Sequence, residues 1–128
     1  MRALLDTHTF LWWNIDDPQL SDRARQVITD GNNEIFFSAA SAWEIALKAA
    51  RGRLELPESP LRYVAQRLYL HHFQPLPIQL SHALHVYSLP EYHRDLFDRL
   101  LIAQSQLEDL PLLTSDTEIA RYDVNVLW

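Results

Sequence analysis

The chain contains no cysteine. Disulfides, thiolate nucleophiles and zinc sites with cysteine ligands are therefore excluded. Glycine is almost as scarce, with only Gly31 and Gly52 among 128 residues. A phosphate-cradling P-loop, a dinucleotide fingerprint and a G-x-S-x-G nucleophile elbow all fail for want of it. No apolar run reaches the roughly 18 residues that a membrane span needs, and Asp6 interrupts the N-terminus before a signal-peptide core could form. The expected address is the cytoplasm, with no membrane partner. A basic excess is lacking too: 17 acidic residues against 11 Lys and Arg give a net charge of −6, the reverse of the usual nucleic-acid binder.

What is present is 48% hydrophobic content, which supports one compact α/β domain over residues 1–128. Its organising stretch is Arg2-Ala3-Leu4-Leu5-Asp6-Thr7-His8-Thr9-Phe10, where a short apolar run stops at a carboxylate. Such a run reads as a buried strand. Asp6 then sits at its C-terminal end, the edge where open α/β sheets bind ligands.

Further along, Thr9 to Ile15 is an apolar, aromatic helix ended by Asp16-Asp17-Pro18, and a polar helix from Ser21 stops near Gly31, a C′ glycine. Glu34 to Ser38 is a strand. Ala39 to Arg51 is the clearest helix, with Trp43, Ala46, Leu47 and Ala50 at three- and four-residue spacing. Pro60 introduces a helix from Leu61 to His71, and Phe73 to Ile78, carrying Pro75 and Pro77, is confined to a short or edge strand. Helices at Ser81 to Ser88 and Asp98 to Leu107, a strand at Asp109 to Thr114, a short helix at Asp116 to Arg121 and a strand at Val124 to Leu127 complete the alternation. It predicts a parallel sheet sandwiched by helices.

Parallel strands bring equivalent ends to one edge. Asp6 ends the first strand, Glu44 lies in the helix after the second and Asp116 just past the strand that ends at Thr114, while Asp98 opens a helix that must pack on the sheet, with Asp95 one turn earlier. Capping competes as an explanation, because Ser41-Ala42-Trp43-Glu44 and Ser115-Asp116-Thr117-Glu118 fit the S-x-x-E box and Asp95 can cap the helix of Asp98. Capping accounts less well for Asp6-Thr7 at a strand end. Clustered carboxylates repel unless a positive charge stands between them, and hard oxygen ligands suit Mg²⁺ or Mn²⁺. Nuclease chemistry follows from such a site. Setting Asp6, Glu44, Asp95, Asp98 and Asp116 aside also leaves the rest of the chain near charge balance, so the acidity is local.

Four stretches carry a resemblance: Leu4-Leu5-Asp6-Thr7-His8, Ser41-Ala42-Trp43-Glu44-Ile45, His93-Arg94-Asp95-Leu96-Phe97-Asp98-Arg99-Leu100-Leu101-Ile102-Ala103-Gln104 and Leu113-Thr114-Ser115-Asp116. In order and over the whole chain they resemble the motif blocks of PIN-domain ribonucleases of the VapC toxin type. Leu96 is a small departure, standing where relatives often carry proline. The resemblance implies a single PIN-like domain with a parallel sheet of about five strands in the order 3-2-1-4-5. It implies that Asp6, Glu44, Asp98 and Asp116 hold Mg²⁺ or Mn²⁺, with Asp95 accessory and Thr7 and Thr114 supporting. It further implies cleavage of single-stranded stretches of structured RNA to leave a 5′-phosphate, a homodimer, and silencing by a small antitoxin protein whose tail covers the active-site groove.

Lys48, Arg51, Arg53, Arg94 and Arg99 flank the motif acids and are the candidates for RNA phosphate contacts, although Glu44 and Lys48 stand at i,i+4 and can pair. The histidine pairs His71-His72 and His82/His85 read as packing or surface residues. His8 and His93 flank the acids as substrate-contact candidates, and neither is expected as a ligand. Trp12, Trp13 and Trp43 read as core or dimer interface. Two other functions compete. A haloacid-dehalogenase-like phosphatase needs an aspartate two positions after the first, where this chain has His8. A catalytically silent module of the same fold, binding RNA or protein, has no reason to keep four mutually repelling acids.

Overall fold

A computed structural model describes residues 1–128. Five parallel strands form one sheet in the order β3-β2-β1-β4-β5. They are β1 (Arg2–Leu5), β2 (Glu34–Ser38), β3 (Gln74–Leu76), β4 (Leu112–Leu113) and β5 (Val126–Leu127). This is the expected fold and strand order. The helices are α1 (Thr7–Asn14), α2 (Asp22–Thr29), α3 (Ala39–Ala50), α4 (Pro60–His71), α5 (Leu80–His85) and α6 (Leu96–Glu108), with 3₁₀ turns at Val86–Ser88 and Ile119–Arg121. None is long and apolar enough to cross a membrane.

The central strand explains the sheet's construction. Side chains alternate across a strand, so Ala3 and Leu5 enter one core with Phe10, Ile35, Phe37 and Leu113, whereas Leu4 enters the other with Leu101, Ile102 and Leu112. Both faces are covered, and β1 therefore reads as an unbroken apolar run. Phe10 anchors the first core, with ring centroids 4.2 Å from Phe37 and about 6 Å from Tyr63 and Phe73.

Register then sets the functional edge. Leu5 pairs with both Phe37 and Leu113. The next residues, Asp6, Ser38 and Thr114, thus emerge side by side at the C-terminal end of the sheet.

Several boundaries differ from expectation. The first helix begins at Thr7 rather than Thr9, because the Asp6 side chain accepts the Thr9 N–H at 2.8 Å and serves as its N-cap. Capping therefore does explain Asp6 in part. The box at Ser41 is not used, since Ser38 caps α3 through the Ala40 N–H. Nor is there an α-helix from Asp116: only Ile119–Arg121 coils, and Asp116 Oδ1 accepts the Glu118 N–H at 2.8 Å. The buried face of α3 is Ala40, Ser41, Glu44 and Ile45, not the apolar set around Trp43, which is half-exposed and packs edge-on against Phe97. The helix turns its more polar face inward because that face meets the site. Asp95 caps α6 through the Asp98 N–H at 2.9 Å, so this helix starts at Leu96. Gly31 follows the C-cap of α2, but its φ is not positive; the left-handed glycine is Gly52. The expected strands at 73–78, 109–114 and 124–127 shorten to β3, β4 and β5.

Phe10→Ala should remove about 3–5 kcal/mol of stability, the usual result of emptying a fully buried aromatic site, as read by urea unfolding. A loss below about 1 kcal/mol would contradict its role as anchor. A second measurement concerns His71, which packs between Trp13 and Phe73. Its pKa is lowered from the ordinary 6.5, first by burial and then by Arg67 and His72. The folded chain therefore keeps His71 neutral while the unfolded chain takes up a proton as pH falls through 6.5, and stability must decline on acidification. His71→Gln should flatten that decline between about pH 7 and 5; an unchanged slope in urea midpoints would refute the assignment.

Candidate active site at the sheet edge

Asp6 lies at the centre of the edge and is 5% exposed. Its Oδ1 accepts the Thr9 N–H, and its Oδ2 accepts the Thr114 hydroxyl at 2.5 Å. Burial raises its pKa above 3.8, with the bonds from Thr114 and Thr9 and the charge of His8 acting in the opposite sense. Thr114 does double duty: its Oγ1 also accepts the Asp116 N–H at 3.0 Å. One threonine thus links the carboxylate at the end of β1 to the backbone of the acid past β4.

Asp98 enters from the first turn of α6. Its pKa is pushed up to about 7, first by burial, then by the charge of Asp95 and, less strongly, that of Asp116, while a bond from His93 acts against the rise. The acids at 95, 98 and 116 therefore share one electrostatic environment.

Glu44 is held differently. Thr7 Oγ1 donates to its Oε1 at 2.6 Å and stands 2.9 Å from Ser41 Oγ, while Lys48 Nζ donates to Oε2 at 2.5 Å. The expected i,i+4 pair is formed. Thr7, Glu44, Lys48 and Arg53 line a pocket of about 170 Å³ beside His8. A larger concavity of about 730 Å³ lies elsewhere, around Trp13, Asn14, Arg25 and Arg67. The acids, not the size of the hollow, identify the site.

Of the expected phosphate-binding cations, Arg51, Arg53 and Arg94 are exposed, and Arg53 faces the Glu44 pocket. Arg99 corrects the expectation. Its guanidinium is spent on the fold, donating to the Pro90 carbonyl at 2.8 Å and to Tyr122 Oη at 3.1 Å, with longer bonds to Val86, Leu89 and His93 carbonyls.

No three of the chain's carboxylates and histidines stand within reach of a single ion in this arrangement. The donor chemistry nevertheless fits a hard divalent cation, because Mg²⁺ keeps several waters and needs only one or two protein carboxylates. One or two of the expected acids Asp6, Glu44, Asp98 and Asp116 would hold it together with water, with Asp95 accessory.

Sequence reasoning named His93 as a substrate-contact candidate but did not place it against Asp98, and it missed Tyr122 and the site position of Ser41. His93 Nε2 stands 3.1 Å from Asp98 Oδ2, and Tyr122 Oη lies 2.8 Å from His93 Nδ1. Ser41 joins Thr7 beside Glu44. The five-residue offset of His93 from Asp98 offered a faint signal; Tyr122, 29 residues from His93, offered none.

Comparison with known proteins bears on the family and the fold. The PIN domain family model matches residues 3–125. Ribonuclease VapC22 of Mycobacterium tuberculosis (strain ATCC 25618 / H37Rv) is 30% identical over 118 residues, covering 91% of this chain and 88% of that one. Ribonuclease VapC16 of the same strain is 38% identical over 64 residues, half of this chain and 45% of that relative. VapBC2 from Rickettsia felis, solved bound to a promoter DNA fragment, aligns with a TM-score of 0.71 at 12% identity, covering 98% and 97% of the two chains. FitAcB from Neisseria gonorrhoeae aligns at 0.64 and 23%, covering 98% and 96%. At those identities the structural likeness is one of fold. With nearly its whole length matched, the chain belongs to the PIN domain family, and the curated relatives it matches are VapC ribonucleases.

Proposed function

We propose that this protein is a metal-dependent endoribonuclease acting as the toxin of a toxin–antitoxin pair. The observation that carries the reading is a pair of links at one sheet edge: Thr114 bonds both the Asp6 carboxylate and the Asp116 backbone, and the Asp98 carboxyl is pushed up to about 7 by burial and by the charges of Asp95 and Asp116. Bound Mg²⁺ or Mn²⁺ supplies charge that offsets the phosphodiester and makes water more acidic. The chain's own residues prepare the edge for it. Thr114 orients Asp6 and the backbone of Asp116 together, and Thr7 aims Glu44. Lys48 and Arg53, beside Glu44, would receive an RNA phosphate, as would the exposed Arg51 and Arg94. Arg99 is instead held by its two terminal nitrogens on carbonyls and on Tyr122.

Support for a small antitoxin partner comes from the likeness to VapBC2 and FitAcB. A homodimer is proposed from α4, where Leu61, Tyr69 and Leu70 are 83%, 85% and 68% exposed. The silent-module alternative draws on the closure of Glu44 by Lys48 and on the spacing of the acids.

One experiment separates the readings. Purified protein should cleave a fluorescent single-stranded RNA in Mg²⁺ or Mn²⁺, and EDTA should abolish cleavage. Asp116→Asn should reduce it by about 100-fold or more, the equivalent of a few kcal/mol of transition-state stabilisation. Cleavage that survives chelation would remove the metal, and a parent protein inert on every RNA tested would favour the silent module.

A further inference from the structure

The contact between His93 and Asp98 is built more fully than packing requires. Its logic can be read from the hydrogen-bond inventory of one phenol. Tyr122 Oη has one proton to give and two lone pairs. Arg99 Nη1 at 3.1 Å and the His93 backbone N–H at 3.3 Å are both donors only, and they occupy the lone pairs. The phenol proton must therefore go to the remaining neighbour, His93 Nδ1, at 2.8 Å. A histidine that accepts at Nδ1 carries its proton on Nε2, and Nε2 faces Asp98 Oδ2 at 3.1 Å.

The arrangement is shielded. Tyr122 is 4% exposed, and the Tyr92 ring covers it edge-on at 5.0 Å. Arg99, next in sequence to Asp98, is itself anchored on the Pro90 carbonyl. The order of influence runs from Arg99 to Tyr122, to the imidazole, to the carboxylate.

We propose that His93 is a positioning residue for Asp98: Tyr122 fixes the imidazole as its Nε2–H tautomer, and that N–H holds the carboxylate in one orientation. Asp98 Oδ1, which no protein group bonds, is then presented to a divalent cation. The inference rests on the metal-dependent reading given above. Hydrogen-bond partners behind a ligating group typically contribute about 10- to 100-fold in metal affinity or activity. An ordinary packing role for His93 would show no dependence on its N–H.

Two readouts test it in the full chain. In metal-free protein labelled with ¹⁵N-histidine at about pH 8, long-range ¹H–¹⁵N correlation should show His93 protonated at Nε2 and bare at Nδ1; Tyr122→Phe should weaken that preference. Titration with Mn²⁺ alone should then show about 10- to 100-fold weaker binding for His93→Phe, with most of the affinity kept by His93→Gln, whose amide N–H can take the place of Nε2–H. An Nδ1–H tautomer overturns the proposal, and so do Phe and Gln variants of equal Mn²⁺ affinity. Should His93→Phe fail to fold, the parent's tautomer and the retained affinity of His93→Gln decide. A parent that binds no Mn²⁺ sinks the metal reading, and in that case the NMR signal alone still decides how Asp98 is held.

Discussion

A carboxylate buried at the end of the central strand is the constraint on which this structure turns. Asp6 is almost fully removed from water, and an unbonded carboxylate there would be costly. Its two oxygens are instead met by a backbone N–H from the first turn of α1 and by the hydroxyl of Thr114. Both donors exist only if the strands end in register. The pairing of Leu5 with Leu113 puts Thr114 beside Asp6, and the Thr9 hydroxyl closes on the Leu113 carbonyl at 2.8 Å. Sheet register, helix start and acid placement are one arrangement.

The acids on this edge divide by how their charge is met. Glu44 has Lys48 directly on one oxygen and Thr7 on the other, so it is compensated within the chain. Asp98 has no cationic side chain of comparable closeness; its neighbours include Asp95 and Asp116, and its carboxyl stands near 7. The Glu44 side thus suits an anionic substrate, since Arg53 also lies there. The Asp98 side suits a cation. The proposed chemistry needs both kinds of surface next to one another, and the division assigns each to a different helix.

The parts of this arrangement that were legible in the sequence are those written in local pattern. The run Ala3-Leu4-Leu5 before Asp6 announced a strand buried on both faces, and the alternation of strands with helices announced the parallel sheet. Asp95 as the cap of α6 and Glu44 with Lys48 followed from spacings of three and four residues. What escaped depends on contacts between distant segments. Trp43 seemed the natural inward residue of α3, yet tertiary contact with Thr7 gave that place to Ser41 and Glu44. Arg99 resembled a free cation because the carbonyls of Val86, Leu89 and Pro90 that consume it converge only in the folded chain. Tyr122 was invisible for the same reason.

Helix starts add a last electrostatic element. Asp6, Ser38 and Asp95 cap α1, α3 and α6, so three helix N-termini gather at the acidic edge. Each favours nearby negative charge by about 0.3–1 kcal/mol at an exposed site and up to about 2 kcal/mol when partly buried. Burial and the charges of Asp95 and Asp116 nonetheless hold the Asp98 carboxyl above its ordinary value. The backbone therefore eases the crowding of the acids without cancelling it. What remains is repulsion among Asp95, Asp98 and Asp116, which a charge of opposite sign at this edge would relieve.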